Sequence, residues 1–273
     1  VRIKTASGRH LGDASSEFGN IKTSPEKSWR SVIAAMRKVL DLEEVERRGA
    51  RACMGMAGTE AREQVNRFTS LKPDWVESLE LVSDAHTACV GAHHGGDGAV
   101  VIVGTGVVGY QVEDGRSSRA GGWGFPQSDE GGGAWLGMEA ARLAFQASDG
   151  VIPQSDTSRA VLARFDNSPF ALLDRLVGAP PSAFGELAPF VVHSAEAGDE
   201  AAISLMRRSG EYLSGICRAL ATKQKAPKPL PVSFLGGLAP FMEHFVDDAT
   251  AARLRPAQSD ALTGAMLMLE RSK

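Results

Sequence analysis

The distribution of apolar positions predicts alternating strands and helices over the first half of the chain. Short apolar runs predict strands at residues 1–5, 10–14, 50–57, 75–83 and 99–103. Apolar residues at three- and four-residue intervals predict helices at residues 24–40, 59–71 and 85–94. A mixed run of acidic and basic residues at 41–48 predicts a solvent-exposed surface. This alternation of strand and helix is typical of an α/β protein.

The second half of the chain is predicted to be mostly helical. Proline and glycine breaks separate helices at residues 132–147, 157–165, 170–177, 181–197, 199–223, 238–247 and 260–269. A proline-rich connector at residues 225–231 leads into one further strand at 232–235.

The glycine-rich stretch between the two halves, residues 98–137, allows two interpretations. Gly104, Gly106 and Gly109 match the G-x-G-x-x-G fingerprint of dinucleotide-binding folds. That fingerprint requires a helix directly after the glycines, so that its N-terminus faces the pyrophosphate. Here alternating apolar and polar residues follow instead and end in an Asp114-Gly115 turn, which predicts a β-hairpin. The pattern therefore favours a strand, a phosphate-sized glycine turn and a second, antiparallel strand.

Composition and charge exclude several classes of function. The net charge of −3 and the isoelectric point near 6.1 give no electrostatic basis for binding nucleic acid or an anionic membrane. The three cysteines, Cys53, Cys89 and Cys217, are far apart and form no C-x-x-C pair, so the sequence suggests neither zinc nor an iron–sulfur cluster. We expect small apolar thiols in a reducing cytosol. No stretch resembles a signal peptide or an 18-residue apolar span, and we expect a cytoplasmic protein without membrane contact.

Six short motifs follow one another in a characteristic order. They are Ser83-Asp84-Ala85, Gly104-Thr105-Gly106, Gly121-Gly122-Trp123-Gly124, Ser128-Asp129-Glu130-Gly131, Leu235-Gly236-Gly237-Leu238 and the segment 256–264. Over nearly its whole length the chain resembles N-acetylglucosamine kinases and bacterial glucosamine kinases, within the activator-type ATPase family of the actin-like superfamily. The resemblance implies a two-lobed, actin-like (ribonuclease-H-like) α/β fold with a mixed sheet in each lobe. The expected lobes are residues 1–91, closed by a helix at 259–273, and residues 92–258.

The implied reaction transfers the γ-phosphoryl group of ATP, with Mg²⁺, to the 6-hydroxyl of N-acetylglucosamine or glucosamine. By resemblance, Asp84 is the base that takes the proton from this hydroxyl. From the residues alone, Asp84 is an equally good candidate to cap the helix that follows it, because aspartate is a favoured N-cap residue.

The resemblance also implies a set of residues that contact the sugar, namely Asn20, Thr105, Gly106, Gly122, Trp123 and Asp129. A carboxylate such as Asp129 can accept hydrogen bonds from two hydroxyls, and the amide of Asn20 can both donate and accept. A tryptophan between glycines can present its indole to a ligand. The structural alternatives are a core position for Trp123, a helix cap for Asp129 and an ordinary turn for Asn20.

Two glycine turns are the implied nucleotide-binding elements. Gly104, Thr105 and Gly106 are expected to cradle phosphate with their backbone N–H groups. Gly236 and Gly237 are expected to let adenosine lie against bare backbone, although a plain strand-to-helix turn would need the same glycines.

The family carries a further Asp-Gly-Gly-Gly-Thr phosphate loop directly before the strand matched by residues 1–5. The sequence does not contain this loop. Either the loop lies upstream of Val1, or the chain lacks part of its ATP and magnesium site. The sequence therefore assigns no magnesium ligand.

Two other functions are compatible with this pattern. An activator ATPase of the 2-hydroxyacyl-CoA dehydratase or benzoyl-CoA reductase type would require cysteines for an interface iron–sulfur cluster, and the spacing of the three cysteines argues against it. A non-catalytic sugar-binding regulator would have no need of Asp84 or of both glycine turns. The expected partners are an amino sugar and ATP, with a homodimer as the default assembly.

Overall fold

The computed structural model describes residues 1–17, 19–41 and 49–271. The packing of the chain divides it into two compact units, Val1–Asp97 with Ala257–Lys273, and Gly98–Pro256. The lobe boundary expected after residue 91 would fall inside a helix, and the units instead separate in the loop that follows this helix. Apart from Asp41, the charged segment expected to be a solvated surface lies outside the described residues.

Two separate strand pairs form the β-structure of the first unit. β1 (Arg2–Lys4) pairs antiparallel with β2 (His10–Asp13), and β3 (Ala50–Met56) pairs parallel with β4 (Val76–Ser83). The resemblance implied one mixed sheet here. In the described part of this unit, however, each pair forms a two-stranded sheet of its own, so parallel and antiparallel strands are not hydrogen-bonded to one another.

The helices of the first unit are α1 (Pro25–Met36), α2 (Arg62–Ser70), α3 (Asp84–Ala92) and, from the end of the chain, α12 (Ala261–Arg271). α1 begins where the helix at residues 24–40 is predicted to begin. Ser24 is its N-cap, and the Ser24 side chain accepts a hydrogen bond from the Lys27 N–H. Its Trp29 stacks on Phe68 of α2 with ring centroids 4.7 Å apart, and the indole N–H donates to the Phe68 carbonyl. This aromatic pair, with Ile21 and Val76, forms the core of the first unit.

A four-stranded mixed sheet forms the centre of the second unit. Its strands are β5 (Gly98–Val103), β6 (Val107–Glu113), β7 (Arg116–Gly121) and β8 (Val232–Leu235). They lie in the order β7-β6-β5-β8, and β5 pairs antiparallel with β6 and parallel with β8. The predicted hairpin is confirmed, since Asp114 and Gly115 join β6 to β7 with φ of 49° and 72°. The strand β6 follows the first two glycines of the fingerprint and contains the third, so no helix begins there and the dinucleotide interpretation is wrong.

Helices pack around this sheet. They are α4 (Gly133–Ser148), α5 (Asp156–Ala163), α6 (Pro169–Leu176), α7 (Pro181–Gly185), α8 (Ala188–Glu196), α9 (Glu200–Ala221), α10 (Ala239–Met242) and α11 (Asp248–Ala251). Apolar side chains of the strands and of α4, α8 and α9 form the buried core, with Val101, Leu136 and Leu213 fully buried. Within the described residues, no helix combines the length and the apolar character needed to cross a membrane.

Two long helices predicted in this unit are each divided. The helix predicted at 181–197 is interrupted after Gly185 and begins again at Ala188, because Pro189 lacks an N–H group and fits only a first helical turn. The helix predicted at 238–247 ends at Met242 and continues as the 3₁₀ turn Glu243–Phe245. Asp247, expected inside that helix, is instead the N-cap of α11.

Two glycines of the long helix α9 provide a test of how tightly it is packed. A Cβ atom at Gly210 would lie 2.0 Å from the carbonyl oxygen of Phe245, whereas one at Gly215 would meet only the Arg218 side chain, at 3.8 Å. Gly210→Ala should therefore lower the free energy of unfolding by about 1–3 kcal/mol, the usual cost of overpacking. Gly215→Ala should raise it by up to about 1 kcal/mol, because alanine is the better helix former. Urea unfolding of both variants checks this, and effects of equal sign would contradict the described packing.

Candidate active site

A cavity of about 460 Å³ lies within the second unit, beside the carboxyl ends of β5 and β8. One part of its wall is backbone, from Gly104 and Thr105 after β5, Gly133 at the start of α4, and Gly237 after β8. The other part is mostly apolar and consists of Ser182, Gly185, Ala188, Pro189, Val192, His193, Leu238 and Phe241. Ligand pockets commonly combine an apolar wall with a few polar groups in this way.

The loop from Gly104 to Gly106 is tied to the start of α4. The carbonyls of Gly104 and Thr105 accept hydrogen bonds from the N–H groups of Gly133 and Ala134, at 2.8 and 2.9 Å. The Gly104 N–H donates to the Gly106 carbonyl at 3.0 Å. The Gly104 amide is therefore engaged within the loop, whereas Gly104 itself lines the cavity, and its role in binding phosphate stays a prediction. The exposed Thr105, with its hydroxyl and N–H group, becomes the main candidate donor of the loop.

The two glycines after β8, Gly236 and Gly237, have different structural roles. A Cβ atom at Gly236, whose φ is 98°, would lie 2.4 Å from the Val103 carbonyl oxygen, so this residue lets the turn approach β5. A Cβ atom at Gly237 would meet nothing within 4 Å, and Gly237 lines the cavity. The interpretation as a strand-to-helix turn thus accounts for Gly236, whereas Gly237 leaves open space that a nucleotide can fill.

Asp129 is a buried carboxylate beside the loop from Gly104 to Gly106. Its φ is 71°, its exposed fraction is 8%, and a Cβ atom at Gly106 would lie 2.2 Å from its Oδ2. Its Oδ1 is buried and lacks a hydrogen-bond partner in the described part of the protein. Because native proteins rarely bury such an atom unsatisfied, the position indicates a ligand group that donates to it.

Burial raises the pKa of the Asp129 carboxyl above its ordinary value, although the N–H groups of Gly124 and Val107 oppose this shift. The interpretation of Asp129 as a helix cap is wrong. The N-cap of α4 is Gly132, and no side chain caps this helix. The buried Asp129 carboxylate therefore does not cap α4.

Trp123 lies in the turn after β7 and is 79% exposed, so the interpretation of this side chain as core is wrong. It is flanked by Gly122 and Gly124, whose φ values are 71° and 103°. The guanidinium of Arg119 lies over the indole, with Cζ 4.6 Å from the ring centroid. An exposed indole can present an apolar face to a sugar, and the unpartnered Oδ1 of Asp129, six residues further along the chain, can accept a hydrogen bond.

Asn20 and Asp84 belong to the first unit, at neighbouring strand ends. Asn20 forms a parallel bridge with Ala57, directly after β3, and Asp84 directly follows β4, the parallel partner of β3. The Asn20 Oδ1 accepts a hydrogen bond from the Lys22 N–H at 2.9 Å, so the residue does form the local turn considered as its alternative role.

The interpretation of Asp84 as a helix cap is wrong. Ser83 is the N-cap of α3, and its hydroxyl accepts from the His86 N–H at 3.1 Å. Asp84 is the first helical residue and is exposed, and its Oδ1 accepts from the Ala85 N–H at 2.8 Å. The serine thus meets the need of the helix for a cap, and the carboxylate beside it is available for another role.

Sequence reasoning missed the apolar wall contributed by α7 and α8 and the contact of Arg119 with Trp123. The small and apolar residues at 185–192 have the composition of ordinary core, and only the helix break at Pro189 distinguishes them. The Arg119 contact has no motif in the sequence, because it depends on the backbone turn.

The described residues contain no group of three or more histidine, cysteine, aspartate or glutamate side chains that could hold a metal ion. Magnesium in phosphoryl-transfer sites is held largely by substrate phosphates and water, with only one or two carboxylates. No protein ligand of magnesium is therefore assigned.

Comparison with known proteins identifies the family. The model of the BadF/BadG/BcrA/BcrD ATPase family matches residues 3–268. The chain belongs to this family. Among members of known sequence, it is 28% identical to the glucosamine kinase of Vibrio cholerae, over 98% of this chain and 90% of that protein. It is 25% identical to the N-acetyl-D-glucosamine kinase of Dictyostelium discoideum, over 68% of this chain and 61% of that protein.

Two solved structures resemble this BadF/BadG/BcrA/BcrD-family fold. A candidate N-acetylglucosamine kinase from Chromobacterium violaceum is 32% identical, with a TM-score of 0.87 and coverage of 98% of this chain and 93% of that chain. A second candidate N-acetylglucosamine kinase, from Porphyromonas gingivalis, shares the fold at 15% identity and a TM-score of 0.70, with coverage of 99% and 94%. The resemblance to amino-sugar kinases and the expected α/β fold are confirmed.

The glycines after β8 allow ligand binding to be separated from folding. Gly237→Ala adds a methyl group to the cavity without touching the protein, so it should weaken ATP binding by about 1–3 kcal/mol, as overpacking does, and leave the Tm nearly unchanged. Gly236→Ala should lower the Tm, because alanine is strained at a φ of 98° and its methyl group meets the Val103 carbonyl. Calorimetric titration with an ATP analogue and thermal melts test this pair. Unchanged ATP affinity in Gly237→Ala would place the nucleotide elsewhere.

Asp129→Asn should stabilise the protein at neutral pH. A folded-state pKa raised by burial means that ionisation of Asp129 destabilises the fold, so its stabilising contribution is present below the pKa of an unfolded aspartate, about 3.9, and is lost as the pH rises through the folded-state value. Asparagine keeps the shape, tolerates a φ of 71° and does not ionise.

The difference in Tm between Asp129→Asn and the unchanged protein should therefore be smallest near pH 3 and increase toward pH 7, in melts recorded across this range. Asp74→Asn, at an exposed position, is the matched control and should show no such increase. A gain at Asp129 that is independent of pH would mean that desolvation of the carboxylate is not its cause.

Proposed function

We propose that this chain is an ATP-dependent amino-sugar kinase that transfers the γ-phosphoryl group to the 6-hydroxyl of N-acetylglucosamine or glucosamine. The observation that carries the proposal is the buried Oδ1 of Asp129. This oxygen has no partner in the described part of the protein, and its carboxylate lies next to Gly106 in the loop from Gly104 to Gly106. An acceptor for sugar hydroxyls then lies beside the loop that holds the phosphate to be transferred. Family membership and the kinase names of the relatives from Vibrio cholerae and Dictyostelium discoideum support the same function.

ATP would occupy the cavity of the second unit. Thr105 would donate to the phosphates, and the nucleoside would lie against Gly237 and the apolar side chains of α8 and α10. The open space at Gly104 and Gly237, where a Cβ atom would meet nothing within 4 Å, fits a ligand that approaches the backbone closely. Bound ATP supplies the phosphoryl group, and magnesium neutralises its charge.

The amino sugar would be held by side chains of the second unit. The Asp129 carboxylate would accept bonds from sugar hydroxyls, and Trp123 would pack against a C–H face of the ring. Thr105, Gly106 and Gly122 would contribute close backbone approach, in agreement with the positions implied by the resemblance.

Asp84 would act as the general base. As the 6-hydroxyl oxygen bonds to the γ-phosphorus, the bond to the leaving oxygen of ADP breaks and the hydroxyl proton passes to the Asp84 carboxylate. Its position at the carboxyl end of β4, where α/β sheets commonly carry their reactive groups, supports this role. Ser83 caps the helix, which leaves the Asp84 carboxylate for the reaction.

Features of the thiols argue against the alternative of an activator ATPase with an iron–sulfur cluster. Burial raises the pKa of Cys53 to about 12 and that of Cys217 to about 11. Cys89 is completely buried. Thiolates are the metal ligands of cysteine, and burial in apolar surroundings disfavours them.

ATP consumption measured over a panel of hexoses and amino sugars tests the proposed function. Consumption should depend on N-acetylglucosamine or glucosamine and yield the 6-phosphate. ATP turnover that is independent of every sugar would favour the activator ATPase. Sugar binding without any turnover would favour a non-catalytic regulator. Light scattering on the same sample measures the expected homodimer.

Substitutions at the adjacent Ser83 and Asp84 should have opposite consequences. Ser83→Ala removes the cap of α3 and should lower stability by about 1 kcal/mol while most of the turnover remains. Asp84→Asn keeps the size of the side chain and the cap but removes the base, so turnover should fall by about 10²–10⁴-fold with little change in Tm. Steady-state kinetics and thermal melts of both variants check this. Near-normal turnover in Asp84→Asn would exclude Asp84 as the base.

A further inference from the structure

The strand that leads into the turn of Trp123, β7, contains an arginine, Arg119, whose contacts have no assigned role. Arg119 donates from Nε to the Gly121 carbonyl and from Nη2 to the Gly122 carbonyl, both at 3.1 Å. The same guanidinium lies over the Trp123 ring, with Cζ 4.6 Å from its centroid. One planar cation thus contacts both the backbone of the turn and the aromatic side chain.

The turn provides little restraint of its own. Gly122 and Gly124, on either side of Trp123, have φ values of 71° and 103°, and glycine is the residue with the greatest conformational freedom. Trp123 is 79% exposed, so packing against the core does not fix its ring. A guanidinium is rigid, planar and able to donate several hydrogen bonds in a fixed geometry, which makes it suited to supply the missing restraint.

Arg119 is itself held in place. It lies in β7, which is paired along its length with β6, and its backbone carbonyl accepts a hydrogen bond from the Lys223 Nζ at 2.5 Å. The restraint on Trp123 therefore originates in the sheet and in the chain after α9.

We propose that Arg119 is a positioning residue that fixes Trp123 as a one-sided platform for the amino sugar. The guanidinium occupies one face of the indole and leaves the other face for the C–H face of a sugar ring. The proposal rests on the proposed kinase function, but the order that Arg119 imposes on Trp123 can be measured without any reaction.

The experiment compares Arg119→Met, which keeps the apolar stem, and Arg119→Lys, which keeps the charge, with Arg116→Met. Arg116 is exposed at the other end of the same strand and is the matched control. The mobility of the Trp123 indole is measured by its ¹H–¹⁵N heteronuclear NOE, with the resonance assigned by its loss in Trp123→Phe. The KM for the sugar, the KM for ATP and kcat are measured on the same samples.

Arg119→Met should lower the indole NOE and raise the sugar KM about tenfold, the size expected when charge-assisted hydrogen bonds and a cation–π contact are lost together. The KM for ATP and kcat should change little, because the platform contributes binding that is equal in the ground and transition states. Arg119→Lys should show a partial effect, since lysine lacks the planar fork. Arg116→Met should match the unchanged protein in every measurement.

An unchanged indole NOE in Arg119→Met would overturn the proposal whatever the activity. A lower NOE with an unchanged sugar KM would overturn the platform role of Trp123. Arg119 would have a purely structural role if Arg119→Met, but not Arg116→Met, lowered the Tm and raised the KM for ATP as much as the KM for the sugar. Absence of sugar-dependent turnover in the unchanged protein would instead overturn the kinase function, while the NOE comparison would still measure whether Arg119 orders the indole.

Discussion

The candidate site depends on the backbone carbonyls at the end of one strand, β5. Val103 accepts a hydrogen bond from the Leu238 N–H, and Gly104 and Thr105 accept from the first N–H groups of α4. The turn after β8 and the start of α4 are thereby attached to consecutive residues of the same strand end. Since these elements form the backbone part of the cavity wall, the shape of that part follows from backbone hydrogen bonds that do not depend on long side chains.

The second constraint is the cost of burying Asp129. A carboxylate with an unpartnered, buried oxygen weakens the fold that contains it, and protein interiors generally avoid such groups. Violations of this kind are expected where a ligand completes the missing contacts. The exposed indole of Trp123, which contributes little to the core, lies in the same stretch of chain. Asp129 is costly for folding and Trp123 contributes little to it, which supports the proposed role of both residues in binding a sugar.

Much of the fold could be predicted from the sequence, because strands and amphipathic helices carry periodic signals and the hairpin carries its Asp114-Gly115 turn. The roles of adjacent, chemically similar residues could not be predicted from the sequence. Ser83 and Asp84 are both good caps, and only the extended backbone of Ser83 decides between them. Gly236 and Gly237 differ in backbone conformation and in what a Cβ atom would meet, and neither difference can be read from two identical residues in the sequence. Arg119 was missed because its partners are carbonyls of the backbone, which no side-chain pattern reveals.

Membership of a family named for ATPases does not by itself distinguish a redox activator from a sugar kinase. The distinction comes from side chains that ATP hydrolysis alone does not require. An electron-transfer activator needs reactive thiolates at an interface, whereas the thiols of Cys53 and Cys217 have raised pKa values caused by burial. A sugar kinase needs a hydrogen-bond acceptor for hydroxyls near the transferred phosphate. Asp129 lies beside the loop from Gly104 to Gly106, although burial of its carboxylate is unfavourable. The cost of burying Asp129 therefore supports the proposed role of this carboxylate in sugar recognition.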